Sequence, residues 1–173
     1  MPRCPLLRYP SLIILLLGAA PAMAADEPSG CDKFKWDIAR ERAALTAPDR
    51  IALASGIDVA DVPASGVTLA LRSIPEAALP VAPERVPKDG SFAGFARFGK
   101  PARTGTYTIS LSVAAWVDVI QDGHLLKPKA FSGATDCDGI RKTVRYELSA
   151  TPFVLQVSGA PQTTVSLAIL SSE

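Results

Sequence analysis

The sequence predicts an all-β protein, a jelly-roll-like antiparallel β-sandwich with a short amino-terminal helix. Three observations carry that expectation. Tyr107, Ile109, Leu111 and Val113 alternate with Thr108, Ser110 and Ser112, which is the period of two of a half-buried strand. A second apolar run, Trp116-Val117-Asp118-Val119-Ile120, ends at Asp122-Gly123, a pair that tolerates the positive φ of a tight hairpin turn. Three further alternating runs close the chain at short, regular spacing, and neither a βαβ rhythm nor an internal repeat interrupts them.

The chain begins with a leader pattern. Arg3 and Arg8 precede the apolar run 12–17, and Ala22-Met23-Ala24 supplies the small-x-small cleavage signal, so residues 1–24 read as a secretory signal peptide. The run is shorter than the ~20 residues that span a bilayer as a helix, so no transmembrane anchor is expected after cleavage. The expected domain is residues 25–173, a single β-sandwich of periplasmic or secreted location. Pro28-Ser29-Gly30-Cys31 places small residues before a cysteine, as lipoprotein signals do, but Pro28 stands where a branched aliphatic belongs. The full chain carries a formal charge of +1, and loss of Arg3 and Arg8 takes it to −1, a balance that implies neither nucleic acid nor an anionic membrane. Cleavage also removes Cys4 and leaves Cys31 and Cys137, an even pair in an oxidising compartment, for which a disulfide is the expectation. The closed loop of about a hundred residues is worth on the order of 4–5 kcal/mol by chain entropy.

Residues 32–38 alternate charge with apolar bulk and read as extended; residues 39–45 are strong helix formers and predict a short helix stopping before Pro48. Phe34, Trp36, Ile38 and Leu45 are expected to cap an open end of the sheet, with an aromatic ligand platform as the sharper alternative. Weak strands follow at 51–53 and around Ile57 and Val59, then a better one at 67–71. Pro75, Pro80, Pro83 and Pro87 cannot all serve a ladder and predict an extended surface loop. Phe92, Phe95 and Phe98 form a strand in which Gly94 marks a possible bulge. After the central hairpin, whose Trp116 is expected between the two sheets, residues 132–139 read as loop. The closing strands run over 143–148, 153–157 and 165–169.

The run Gly105-Thr106-Tyr107-Thr108-Ile109-Ser110-Leu111 with Trp116-Val117-Asp118-Val119 resembles the central hairpin of bacterial pre-peptidase carboxy-terminal-like jelly-roll modules. The chain as a whole resembles small uncharacterised exported proteobacterial proteins. The first resemblance implies a non-catalytic accessory domain.

Chemistry-bearing residues are few. With His124 as the only histidine, the chain cannot build a His-rich zinc site or a two-histidine iron triad, and no Gly-x-Ser-x-Gly elbow accompanies it. Asp136-Cys137-Asp138-Gly139 has the carboxylate spacing of a calcium loop, with Glu147 at the twelfth position, but Ile140 and Arg141 occupy the fifth and sixth positions, where an oxygen ligand and the glycine belong. Asp136 and Asp138, with Asp122, remain weak metal candidates, and no cofactor is expected. Lys127, Lys129, Arg141, Lys142 and Arg145 are the densest basic group; Asp118, interrupting an apolar strand, either faces solvent or pairs with Arg141 or Arg145. The possible binding residues are therefore Asp118, Arg141, Lys142 and Arg145. The expected function is a non-catalytic exported binding or accessory module, its partner a protein or small molecule of the cell envelope. The alternatives are a metal-assisted or hydrolytic periplasmic enzyme using Asp118, Asp122 and His124, and an envelope structural protein.

Overall fold

A computed structural model describes residue 1 and residues 27–172; the expected leader, residues 1–24, lies outside the described residues except for residue 1. A 3₁₀ turn at Cys31–Lys33 leads into α1 (Ala39–Thr46). Twelve strands follow: β1 (Ile51–Leu53), β2 (Ile57–Val59), β3 (Val67–Ala70), β4 (Arg72–Ser73), β5 (Phe92–Phe98), β6 (Gly105–Leu111), β7 (Trp116–Gln121), β8 (His124–Leu125), β9 (Ala130–Gly133), β10 (Lys142–Leu148), β11 (Phe153–Ala160) and β12 (Thr164–Ser171).

The strands form two sheets packed face to face, an all-β sandwich. One sheet runs β1, β3, β12, β6, β10, β9; the other runs β2, β5, β11, β7, β8, with β4 also on β5. Pairing is antiparallel except at two places, β1 with β3 and β2 with β5, so both sheets are mixed rather than purely antiparallel. Parallel neighbours require a crossover. Here the chain alternates between sheets from β1 to β3, so that β2 in the opposite layer serves as the crossover.

Alternation decides the core. Tyr107, Ile109 and Leu111 of β6, Val144, Tyr146 and Leu148 of β10, Phe153, Leu155 and Val157 of β11, and Val165, Leu167 and Ile169 of β12 are all buried in one cluster between the sheets. Phe98 and Phe153 stack there at 5.4 Å between centroids. Each such side chain contributes about 1.5–3 kcal/mol by leaving water. The bulge expected in β5 lies instead on its partner: Val157 pairs with Gly94 and Ala160 with Phe92, so β11 carries the extra residue, with Gly159 at φ 71°. Gly94 is needed for another reason, because a Cβ there would stand 2.9 Å from Leu71 Cδ2 and 3.1 Å from the Ala70 carbonyl oxygen. The β7–β8 turn is as expected, Asp122 at φ 51° and Gly123 at φ 77°.

The polar face of β6 is not solvated. Thr108 and Ser110 are buried, and beside them the amino-terminal segment lies across the outer face of the first sheet. Phe34, Ile38 and Leu45 there build a second apolar cluster with Ala134, Cys137, Ile140 and Ala168. These side chains cover a sheet face rather than an open end. Cys31 and Cys137 are joined across 106 residues of sequence, with Cα atoms 4.8 Å apart, which holds this segment down. Residues 130–133, outside the expected strands and in part within the expected loop 132–139, form β9 because β10 offers a free edge to pair with. Among the described residues no helix is long and apolar enough to cross a membrane.

Candidate functional site

The sandwich opens where the edge strand β9 and its neighbour β10 face the first residues of β7. A cleft of about 880 Å³ lies there, roofed by residues 85–91 of the proline-rich loop. β7 supplies its floor through strand alternation. Val117 and Val119 point into the core, which puts Trp116 and Asp118 on the outer face of their sheet. Trp116 is therefore half-buried beside the cleft and not between the sheets, contrary to the sequence expectation. A single-residue shift of parity reverses a strand's faces, and here the two valines rather than the indole take the inner one.

Asp118 is 2 % exposed although it lies on that outer face, because the proline-rich loop folds over it. Its carboxylate accepts hydrogen bonds from Trp116 Nε1 at 2.7 Å, Gln156 Nε2 at 3.0 Å and the Glu84 backbone N–H at 3.4 Å. Gln156 Nε2 also donates to the Val81 carbonyl at 3.3 Å. The loop is not extended throughout, since it opens with a 3₁₀ turn at Ile74–Glu76 that holds Pro75 at its start; beyond that turn it is irregular and anchored on the sheet by a buried carboxylate and an amide. Neither Arg141 nor Arg145 is the partner of Asp118. Gln156 was not legible as a site residue, since a glutamine inside an apolar strand carries no signal of what covers it.

The free edge of β7 is closed by side chains from the opposite sheet. Tyr146 donates from its hydroxyl to the Val117 carbonyl at 2.8 Å, and Lys142 Nζ donates to the Ala115 carbonyl at 3.1 Å. Such capping blunts an edge that would otherwise template another strand. Burial, and then the negative charges of Asp118 and Glu84, push the Tyr146 hydroxyl well above the ordinary tyrosine pKa. It stays a neutral donor at any physiological pH.

Lys142 lies with its ammonium 4.7 Å from the centroid of the Trp116 ring, and the Arg85 guanidinium is 5.8 Å from the same ring. Burial pulls the Lys142 pKa down, and the charges of Arg85 and Arg141 pull it further, with Asp118 opposing. Arg141 also lines the cleft and is ion-paired with Glu27. Arg85 was missed in the sequence because a lone arginine among prolines is indistinguishable there from a solvated one.

The expected basic group therefore divides. Arg141 and Lys142 reach the cleft, whereas Arg145, one position out of phase on β10, lies on the outer face of its sheet with its guanidinium 4.0 Å above Trp36. Lys129 pairs with Glu147 at 2.5 Å. Asp122 and His124 sit on the exposed β7–β8 turn at the end of the strand away from Trp116, where Asp122 accepts from Thr151 Oγ1 at 3.2 Å. The structure does not bring them together with Asp118. Asp136 and Asp138 are exposed around the disulfide; Asp136 accepts from Ser29 Oγ at 2.6 Å, while the Asp138 contact to Arg42 runs through its backbone carbonyl. Among the described residues no three His, Cys, Asp or Glu side chains gather in a way that could hold a metal ion.

Trp116→Phe keeps a ring beside the cleft and removes the hydrogen bond to the buried Asp118 carboxylate, so it is expected to cost about 1.5–3 kcal/mol. Thermal unfolding measures the loss. Comparison of the chain with protein-family models, with curated proteins and with solved structures finds no match.

Proposed function

We propose that the chain is a non-catalytic binding module of an exported, oxidising compartment and that it holds a small-molecule ligand in the cleft beside Trp116. One observation carries this reading: an aromatic ring and the cations of Lys142 and Arg85 are assembled at the wall of an 880 Å³ opening by three separate parts of the chain. The Cys31–Cys137 bridge and the leader pattern of residues 1–24 support the compartment. The rival reading as a hydrolytic enzyme would need Asp118, Asp122 and His124 to act together. Yet the Asp118 carboxylate is occupied by three donors under a loop, and the other two residues lie on a remote turn.

Trp116 reports on the cleft once the second tryptophan is silenced. In a Trp36→Phe background, titration with a panel of neutral, cationic and anionic small molecules is expected to change Trp116 emission for one chemical class, with every ligand recovered unaltered. A panel member converted to product would favour the enzyme. No response to any class, together with stable capture of a single envelope protein, would favour the structural role.

A further inference from the structure

We propose that the ligand of the cleft is an amphipathic anion, with an oxyanion head group, carboxylate or phosphoryl, seated on Lys142, Arg85 and Arg141 and an apolar body held between Val86 and Phe131. This rests on the reading of the cleft as a binding site and adds the chemistry of what it binds.

The head-group end is built for negative charge. Among the described residues Lys142 makes one hydrogen bond, to Ala115, and an ammonium has three donors, so two can serve a ligand. Among the described residues Arg85 contacts the Trp116 ring and makes no hydrogen bond, so its guanidinium N–H groups can meet an oxyanion. The charges of Arg85 and Arg141 bear unfavourably on the partly buried Lys142 ammonium, and an anion between them offsets that cost. The acidic side chains lining the cleft, Glu27 and Asp89, do not outnumber these cations.

The chain itself supplies an example of the chemistry. Arg141 is ion-paired with the carboxylate of Glu27, a side chain 66 % exposed on a segment outside both sheets. An oxyanion already sits at this end of the cleft, and it is one that a ligand can displace. A second observation points the same way. Ser158, opposite Trp116 in the β7–β11 register, is 1 % exposed, lines the cleft, and among the described residues its hydroxyl has no hydrogen-bond partner. Buried hydroxyls are normally satisfied. A ligand oxygen reaching this wall would satisfy it.

The lining also carries exposed apolar groups. Val86 is 88 % exposed and Phe131 is 62 % exposed, and both border the same opening, one on the loop and one on β9, with the Lys35 ammonium 5.0 Å from the Phe131 ring centroid. Exposed apolar groups converging on one mouth above a cationic wall match a molecule that carries both an acid and a hydrocarbon or ring.

The test uses the oxidised Trp36→Phe protein and four probes below their aggregation limits: decyl phosphate, decanoate, decanol and inorganic phosphate, read by Trp116 emission and calorimetry. Decyl phosphate and decanoate are expected to bind, with decanol and inorganic phosphate weaker by about tenfold or more. Arg85→Ala, on an exposed loop, is expected to weaken decyl phosphate by about tenfold with the melting temperature unchanged, and Lys142→Met to weaken it further, with partial rescue by Lys142→Arg. Decanol binding as tightly as decyl phosphate, or anion binding indifferent to Arg85→Ala and Lys142→Met, would overturn the inference while leaving the cleft as a binding site. If these probes and the wider panel all leave Trp116 unaffected, the binding reading falls with it. Sedimentation with phosphatidylglycerol vesicles separates the sources: pelleting that Arg85→Ala abolishes assigns the head group to a bilayer lipid, and probe binding without pelleting assigns a free amphiphile.

Discussion

Opening the Cys31–Cys137 bridge, by reductant or by replacing both cysteines with serine, is expected to lower stability by on the order of 4–5 kcal/mol. The bridge spans 106 residues, and the entropy it removes from the unfolded chain grows with the logarithm of that length. For a domain whose whole stability is about 5–15 kcal/mol this is a large share, and it corresponds to a fall in melting temperature of roughly 10–20 °C. The loss has a local component as well. Cys31 anchors the segment that places Phe34, Ile38 and Leu45 over the first sheet, so amide exchange in residues 31–46 and over Thr108 and Ser110 should rise first. Calorimetry with and without reductant checks the magnitude. Thiol titration of denatured, unreduced protein checks the bond itself: finding two free thiols at Cys31 and Cys137 in material from an oxidising compartment would remove the staple.

Asp118→Ala is expected to cost about 3 kcal/mol and to detach the proline-rich loop. Removing the carboxylate leaves Trp116 Nε1 and the Glu84 N–H without an acceptor and Gln156 Nε2 with the Val81 carbonyl alone, each orphaned N–H being worth about 1–3 kcal/mol where water cannot reach it. The three penalties will not sum, because a loosened loop lets water in. Its release is the observable consequence: residues 80–90 should become sensitive to protease, and Arg85 should leave the Trp116 ring, shifting its emission. Asp118→Asn retains one acceptor oxygen and should lose less. An unchanged melting temperature in Asp118→Ala would mean that the carboxylate faces solvent and that the loop is held by something else.

Most strands were legible because one physical quantity, the period-two placement of apolar side chains, both forms and buries them. Tyr107, Ile109 and Leu111, Val144, Tyr146 and Leu148, and Val165, Leu167 and Ile169 entered the core on the predicted sides. The cleft was only partly legible: Arg141 and Lys142 were singled out for charge density, but their meeting with Arg85, Val86 and Phe131 depends on chain segments up to 57 positions apart, from Arg85 to Lys142, converging at a sheet edge.

By itself, then, the sequence determined the strand rhythm, the tight turn at Asp122-Gly123 and the pairing of Cys31 with Cys137, each a property of neighbouring residues or of a count. The tertiary structure alone decided which face of β7 is inner, that Thr108 and Ser110 lie beneath another segment, that β1 pairs with β3 and β2 with β5 in parallel, and that Asp118 is roofed by a loop. Alternation divides a strand into two faces but does not say what will cover either of them. On β7 one face offers Val117 and Val119 and the other Trp116, Asp118 and Ile120, and the choice was settled by fit to the opposite sheet and by the acceptor Asp118 offers to donors of the loop.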